Sequence, residues 1–505
     1  MSNSRVGLDD VPESADARLD VSALGSRAVS QLVARTFATR GITLVGSVFL
    51  ARLLTPAEFG VFAVVTLIVV LASLVGDLGI EAGLVQQRDA PDRRELATVF
   101  TVQLTAWTAI AALIWLLAGL IPWARPDLPP EAPQMAQILA VSLLVTALRA
   151  VPVAMLTRVL RFGPLAAIEV GQQVAYFGTA IALAASGYGV MSFAIATLVQ
   201  SVLGSIAVYA IWPHWPGIGF DRSAAMRLWR FGVTYQAGLV LAWGREAVVP
   251  FFGTLAGGLS GVGFLGFAWR NGQLVASVEQ IIARVSFPAF SRLQADEDRL
   301  ARAAKAAIRS GFTVVVVVQA WIIATADILI PAVFSDAWIP AIAPLQLVCV
   351  ASLAGAPTNV LRSFMYARGD GRRAVLLTTA SLVVLFVTFP TLATRLGLVG
   401  AAGSFVLSSF VGLLLFAVST REQVPFRWIG LARNAAGPTL LAVFAALLVR
   451  TLDSAAGIVV SGATYGILVL GWIRIADPAL FQQFVEIARR TTGSGASSDL
   501  RTTSR

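Results

Sequence analysis

The sequence contains few of the residues that metal sites, disulfides and water-facing surfaces need. Among its 505 residues there is one cysteine, Cys349, and one histidine, His214. A structural zinc site takes four such ligands and a disulfide takes two cysteines, so both are excluded, and no metal or other cofactor is expected. Charged residues make up only 13% of the chain, against roughly 25% in soluble domains, and 57% of the residues are apolar. The lipid bilayer is therefore the expected solvent.

Long apolar runs make up most of the chain. A membrane-spanning helix needs about 20 mostly apolar residues, and fourteen runs of this kind are present. The sequence thus predicts an all-α integral membrane protein with about 14 transmembrane helices. The predicted spans are 31–53, 58–80, 96–122, 135–157, 164–186, 188–212, 231–254, 260–284, 309–334, 341–366, 373–395, 397–419, 431–450 and 455–475.

The basic residues indicate how the chain is oriented. The net charge of +10 would suggest a nucleic-acid partner in a soluble protein, but the arginines fall in short gaps between apolar runs. Alternate gaps are rich in arginine, for example at Arg93 and Arg94 and at Arg222 and Arg227. The positive-inside rule places such gaps in the cytoplasm. We therefore expect a multi-pass protein with both termini in the cytoplasm and no nucleic-acid partner.

A weak internal repeat predicts two lobes. A shift of 205 residues places Phe59 and Phe62 on Phe264 and Phe267, while shifts of 209 and 212 bring later pairs into register. A duplicated unit of six spans predicts two six-helix lobes, related by an axis along the membrane normal, around a central cavity. The predicted divisions are a disordered cytoplasmic tail at 1–28, an amino-terminal lobe at 29–212, a carboxy-terminal lobe at 213–420, two further spans at 421–477, and a cytoplasmic amphipathic helix and tail at 478–505.

Several predicted spans carry ionisable side chains, which are costly in lipid, by about 2.5–3.5 kcal/mol on insertion scales. The clearest polar lines are Thr36, Arg40, Thr43 and Ser47 in the first span and Arg270, Gln273, Ser277, Gln280 and Arg284 in the eighth. Asp77 and Glu81 follow the second span and are candidate ion-coupling sites, with a helix cap as the alternative. Arg149 and Arg284 are interpreted as snorkelling to headgroups, and Arg245 beside Glu246 is either an internal ion pair or part of a site.

A cleft lined by arginine, glutamine, serine and threonine favours an anion that carries many hydroxyl groups. Guanidinium groups pair with phosphate oxygens, and the neutral side chains exchange hydrogen bonds with sugars. A cationic drug would be repelled. Unassisted movement of such a headgroup through hydrocarbon is negligible because of its desolvation cost.

Two segments make a family resemblance recognisable. The segment RTFATRGITLVGSVFLARLLTPAEFGVF at 35–62, followed by GDLGIEAGLVQQRD at 76–89, resembles the bacterial Wzx-type polysaccharide exporters. These belong to a superfamily that also contains the lipid II flippase and multidrug extruders.

The resemblance implies transport of an oligosaccharide on undecaprenyl diphosphate across the bacterial inner membrane. It also implies two six-helix lobes around a cavity, with two extra helices that guide the polyprenyl tail. By their match to the family motif, the resemblance makes Arg35, Arg40 and Arg52 candidate substrate-binding residues, and Asp77 is a further candidate. Five more residues are candidates only because of their positions in the predicted spans: Arg245, Arg270, Gln273, Ser277 and Gln280. Membrane lipids, a polysaccharide polymerase and glycosyltransferases are the expected partners. The alternatives are lipid II or drug export on the same fold, a membrane glycosyltransferase or polymerase, and an assembly scaffold.

Overall fold

The structure is a computed structural model, and it is almost entirely helical over the residues that it describes. These are residues 35–36, 38–76, 83–84, 91–159, 162–273, 286, 290–294, 296–425, 428–452, 455–476, 478 and 481–482. The predicted tail at 1–28 and most of the predicted segment at 478–505 lie outside these ranges.

The chain forms two compact units, Met1–Phe251 and Phe252–Arg505. The first contains α1 (38–53), α2 (Pro56–Gly76), α3 (Arg93–Ala118), α4 (Ala132–Leu148), α5 (Ala150–Arg158), α6 (Phe162–Ala185), α7 (Met191–Ile211) and α8 (Arg222–Phe252), which ends at the boundary. The second contains α9 (Gly258–Gly272), α10 (Glu297–Val333), α11 (Ile342–Leu353), α12 (Gly355–Ala367), α13 (Gly371–Ser419), α14 (Trp428–Leu452) and α15 (Ala455–Ala476).

Within the described residues, six helices are long and apolar enough to cross a membrane, and a seventh span results if the bent pair α4 and α5 is counted as one. The all-helical membrane architecture is confirmed. The total of fourteen spans and the lobe boundaries at 29–212, 213–420 and 421–477 stay predictions.

The most specific part of the family motif, ARLLTPAEFG, builds the turn from α1 to α2. Thr55 precedes α2, Pro56 is its first residue, and the Glu58 carboxylate accepts hydrogen bonds from the Thr55 backbone N–H at 2.7 Å and its hydroxyl at 2.8 Å. The Glu58 N–H in turn donates to the Thr55 hydroxyl at 3.3 Å. This reciprocal pattern is a capping box, and proline suits the first helical position because it has no N–H to satisfy. This part of the motif therefore fixes the start of α2.

The predicted span 135–157 is bent by 43° between α4 and α5. Pro152 explains the bend, because it has no N–H to donate to the carbonyl oxygen of Leu148 four residues earlier. The Tyr209 hydroxyl on α7 donates to that oxygen at 2.7 Å. The bend is thus supported by a hydrogen bond from a neighbouring helix, as membrane helices require.

We predict that Tyr209→Phe lowers the free energy of unfolding by about 1 kcal/mol, since the Leu148 carbonyl then loses this donor. The midpoint of thermal unfolding in detergent measures the change. Tyr188→Phe is the control because Tyr188 is exposed at a turn. Equal midpoints for the two variants would mean that the hydrogen bond contributes nothing.

The second unit has a helix break at a corresponding place. The predicted span 341–366 is divided into α11 and α12 at Ala354, and Pro357 stands three residues later, as Pro152 stands three residues after Arg149. The N–H groups of Arg149 and Ala354 each bond to a carbonyl oxygen three residues back, at 3.2 and 3.3 Å. Arg149 and Ala354, where the two spans are divided, are 205 residues apart, whereas the sequence identities in this span correspond to a shift of 209 residues. A duplicated unit requires this kind of correspondence.

Two helices differ from their predicted spans for local reasons. Gly397 has φ 58° inside α13, so α13 is two consecutive helices that meet where the spans 373–395 and 397–419 were separated. Helix α10 begins at Glu297 rather than near residue 309, and its early turns bury Leu300, Ala304 and Ile308. The charged residues between these positions lower the local hydropathy, so the sequence located only the apolar part of this helix.

Candidate functional site

Helices α1 and α6 of the first unit are joined by polar contacts along their length. Arg35 forms an ion pair with Glu169, and Gln173 Nε2 donates to the Thr43 hydroxyl at 2.9 Å. Further along, the ring of Phe177 lies against Gly46. The contacts advance in the same direction on both helices, so α1 and α6 run parallel. This agrees with α4 and α5 forming one bent span, because the chain then reverses four times between α1 and α6 and returns to the same direction.

Helix α7 also takes part in this polar contact with α6. Gln200 Nε2 donates to Gln173 Oε1 at 3.3 Å, and Gln172 Nε2 reaches the backbone oxygen of Gln200 at 3.4 Å. The side-chain ends of Gln172 and Arg149 both lie against Gly204, where a Cβ would overlap them. Arg149 is the residue at the bend between α4 and α5. Helix α1, helix α7 and the bend between α4 and α5 therefore place polar groups beside those of α6.

Arg40 extends the set on α1. It lies three residues before Thr43 and four after Thr36, which places it on their side of the helix. Its side chain is exposed, and none of the residues that the structure describes forms a hydrogen bond or ion pair with it. Arg40 is thus a cation available to a ligand on a surface that otherwise consists of apolar helices.

We call the polar side chains of α1, α6, α7 and the α4–α5 bend described above the polar cluster. Its members are Arg35, Arg40, Thr43, Arg149, Glu169, Gln172, Gln173 and Gln200. They include three arginines and one carboxylate, so the formal charge is +2. Arginine and glutamine together suit a ligand with phosphate oxygens and hydroxyl groups.

Hydroxyl groups of α1 donate hydrogen bonds to backbone carbonyl oxygens of the same helix. Thr39 donates to the Arg35 carbonyl oxygen at 2.9 Å, Thr43 to Thr39 at 2.7 Å, and Ser47 to Leu44 at 2.8 Å. Ser47 is also buried, so the predicted polar line is exposed only toward its beginning. Because their protons are used, the half-buried hydroxyls of Thr39 and Thr43 can only accept further hydrogen bonds.

The other predicted site residues are distributed over both units. Arg52 is exposed near the far end of α1, about 18 Å along the helix from Arg40 at 1.5 Å per residue. Arg245 is half-buried on α8. Arg270 is exposed in the last turn of α9, and Gln273 follows the end of that helix in the second unit. Ser277, Gln280, Asp77 and Glu81 lie outside the described residues. The assignment of all these side chains to substrate binding stays a prediction.

Sequence reasoning did not single out the acidic and amide members of the cluster. Glu169, Gln172 and Gln173 lie at i, i+3 and i+4 in an otherwise apolar span, and a carboxylate at such a position is by itself a signal of function. Arg149 was interpreted as a snorkelling residue, but it lies at the bend, about 13 Å before the end of α5 at 1.5 Å per residue. Proline at position 152 was the available signal for the bend.

We predict that Gly204→Ala lowers transport about fivefold, which corresponds to about 1 kcal/mol. The added Cβ displaces the flexible ends of Gln172 and Arg149, so activity changes more than the unfolding midpoint. Gly171→Ala on α6 is the matched control because its Cβ meets open space. The prediction is wrong if the two variants transport equally well.

The fold matches a solved flippase. The structure described as lipid II flippase MurJ, inward closed conformation, superposes with a TM-score of 0.69, covering 88% of this chain and 99% of that chain at 14% sequence identity. At this identity the likeness shows the fold alone. The chain is thus a multi-pass helical membrane protein with the fold of that structure.

The family follows from the sequence. A family model described as polysaccharide biosynthesis protein matches residues 49–343, more than half of the chain, and the protein belongs to this family. It is 24% identical to the lipopolysaccharide biosynthesis protein WzxC of Escherichia coli (strain K12) over 345 residues, 65% of this chain and 67% of WzxC. It is 23% identical to the succinoglycan biosynthesis transport protein ExoT of Rhizobium meliloti (strain 1021) over 490 residues, 89% of this chain and 93% of ExoT. The resemblance to Wzx-type exporters is confirmed.

Proposed function

We propose that this protein moves undecaprenyl-diphosphate-linked oligosaccharides from the inner to the outer leaflet of the bacterial plasma membrane, for polysaccharide biosynthesis. The observation that carries the proposal is the polar cluster, which holds three arginines and one carboxylate within apolar helices. The diphosphate supplies the negative charge that such a surface lacks, and the sugars supply hydroxyl groups for the glutamines. Family membership and the flippase fold support the same conclusion.

The proposed mechanism is alternating access. The arginines bind the diphosphate, the glycan enters beside it, and the polyprenyl tail stays in the bilayer. An inside-negative membrane potential favours outward movement of each negative charge by about 2.3 kcal/mol per 100 mV. The sequence has no GxxxxGK[ST] nucleotide-binding loop, and in this proposal the potential drives the movement. Asp77 and Glu81 are the candidates for coupling to an ion.

Reconstitution tests the proposal. The purified full-length protein is placed in liposomes with a labelled polyprenyl-diphosphate oligosaccharide in the inner leaflet, and label that becomes accessible outside is measured with and without an inside-negative potential. We expect protein-dependent appearance of label, faster with the potential. Longer glycans instead of moved label would favour a polymerase, and movement of lipid II or a cationic drug but not of this substrate would favour the alternative exporters.

A further inference from the structure

A second basic site lies at the start of α3 and α8, away from the polar cluster. A cavity of about 1200 Å³ is lined by the first turn of α3, the segment 216–221 and Arg222. Its size exceeds the roughly 300–1000 Å³ of ordinary ligand pockets. All of its lining residues belong to the first unit.

Three arginines line this cavity without a protein partner. Arg93, Arg94 and Arg222 are exposed, and no group in the part of the chain that the structure describes forms a hydrogen bond or ion pair with their guanidinium groups. They are therefore available to a ligand, and an anion is the ligand that guanidinium groups select.

The two carboxylates in the cavity wall, Asp92 and Asp221, accept hydrogen bonds at the starts of α3 and α8. Asp92 accepts from the N–H of Glu95 at 2.7 Å in a capping box. Asp221 accepts from the N–H and hydroxyl of Ser223, both at 2.7 Å, and these hydrogen bonds lower the pKa of Asp221. Glu95, nearby on α3, is paired with Arg227 at 2.6 Å. The formal charge of the lining is +1, and the first turns of two helices add partial positive charge.

The segment 217–221 is fixed to α3 and presents apolar side chains outward. The N–H groups of Gly219 and Asp221 donate to the hydroxyls of Thr101 and Thr98 at 3.0 and 2.9 Å. The alternate residues Ile218 and Phe220 face the other way and are 80% and 68% exposed. Two large apolar side chains held outward by backbone hydrogen bonds next to arginines suit the boundary between headgroups and acyl chains.

We infer that this cavity binds the phosphate headgroup of an anionic phospholipid, with Ile218 and Phe220 inserted among the acyl chains. Arg93, Arg94 and Arg222 contact the phosphate oxygens, and the fixed segment sets the depth of the lipid. Basic pockets at the ends of membrane helices recognise anionic headgroups in this way. The exposed apolar pair favours a lipid over a soluble phosphate compound.

The test uses a photoactivatable phosphatidylglycerol and the full-length protein in detergent micelles, with crosslinked peptides identified by mass spectrometry. We expect crosslinks within residues 213–221, and a decrease of about tenfold or more in Arg93→Gln/Arg94→Gln/Arg222→Gln. The matched control is Arg302→Gln/Arg372→Gln/Arg373→Gln, which removes three exposed arginines outside this cavity. Equal crosslinking in the two triple variants overturns the inference.

Two further arms identify the source of the phosphate. Excess unlabelled phosphatidylglycerol should abolish the crosslink, whereas glycerol 3-phosphate at the same concentration and phosphatidylcholine should not. Loss of the crosslink in the presence of glycerol 3-phosphate would show that the cavity binds a soluble phosphate compound, and it would overturn the inference that it binds a lipid. If the arginine variant does not fold, Ile218→Ser/Phe220→Ser replaces it, because these exposed side chains cap no helix. Loss of the crosslink there supports the inference, and an unchanged crosslink contradicts it.

Discussion

Arg40→Gln is expected to slow the outward movement of lipid-linked oligosaccharide about 10- to 100-fold, because a hydrogen bond to a charged group contributes about 1.5–3 kcal/mol. Arg40 is the member of the polar cluster with an exposed guanidinium and no partner among the described residues, so no protein contact is lost with it. The loss should therefore appear in transport and leave the unfolding midpoint unchanged. The liposome assay with outer-leaflet label measures it.

Two variants make this result specific. Arg40→Lys keeps the charge but not the two-pronged geometry, and we expect it to restore part of the activity. Arg395→Gln removes an exposed arginine from α13 and should transport normally. Normal transport by correctly inserted Arg40→Gln would remove Arg40 from the substrate path.

Trp338→Ala is expected to have the largest effect on stability. Trp338 is 0% exposed, its ring stacks on Phe267 at 4.6 Å between centroids, and it meets Phe264 edge-on at 6.1 Å. Removing a buried tryptophan costs about 3–5 kcal/mol. For a cooperative unit of roughly 250 residues this lowers the midpoint of thermal unfolding by about 6–10 °C.

The neighbouring residue supplies the control for this prediction. Ile339 lies in the same short helix, Asp336–Ala341, but is 48% exposed. We expect Ile339→Ala to change the midpoint little, and Trp338→Phe, which keeps an aromatic ring, to fall between the two. A midpoint for Trp338→Ala as high as that of Ile339→Ala would show that this aromatic group does not stabilise the second unit.

The sequence was sufficient for features that depend on residue type alone. Apolar runs, scarce charge and a single cysteine specify a helical membrane protein, because only helices satisfy the backbone of such runs in lipid. The capping box at Thr55 and Glu58 and the break at Gly397 also follow from local chemistry. Arg40 was located in the same way, since a charged residue inside an apolar run is visible in the sequence.

The tertiary structure decided which polar side chains meet. Glu169, Gln173 and Gln200 are distant in sequence from Arg35 and Thr43, and only the parallel packing of α1 on α6 and the approach of α7 brings them together. The bend at Arg149 depends on Pro152, but its support by Tyr209 requires a helix more than fifty residues further along the chain. The sequence shows, one residue at a time, which polar side chains would be costly in free energy to bury in lipid. The partners that offset this cost are defined only once the helices are packed together.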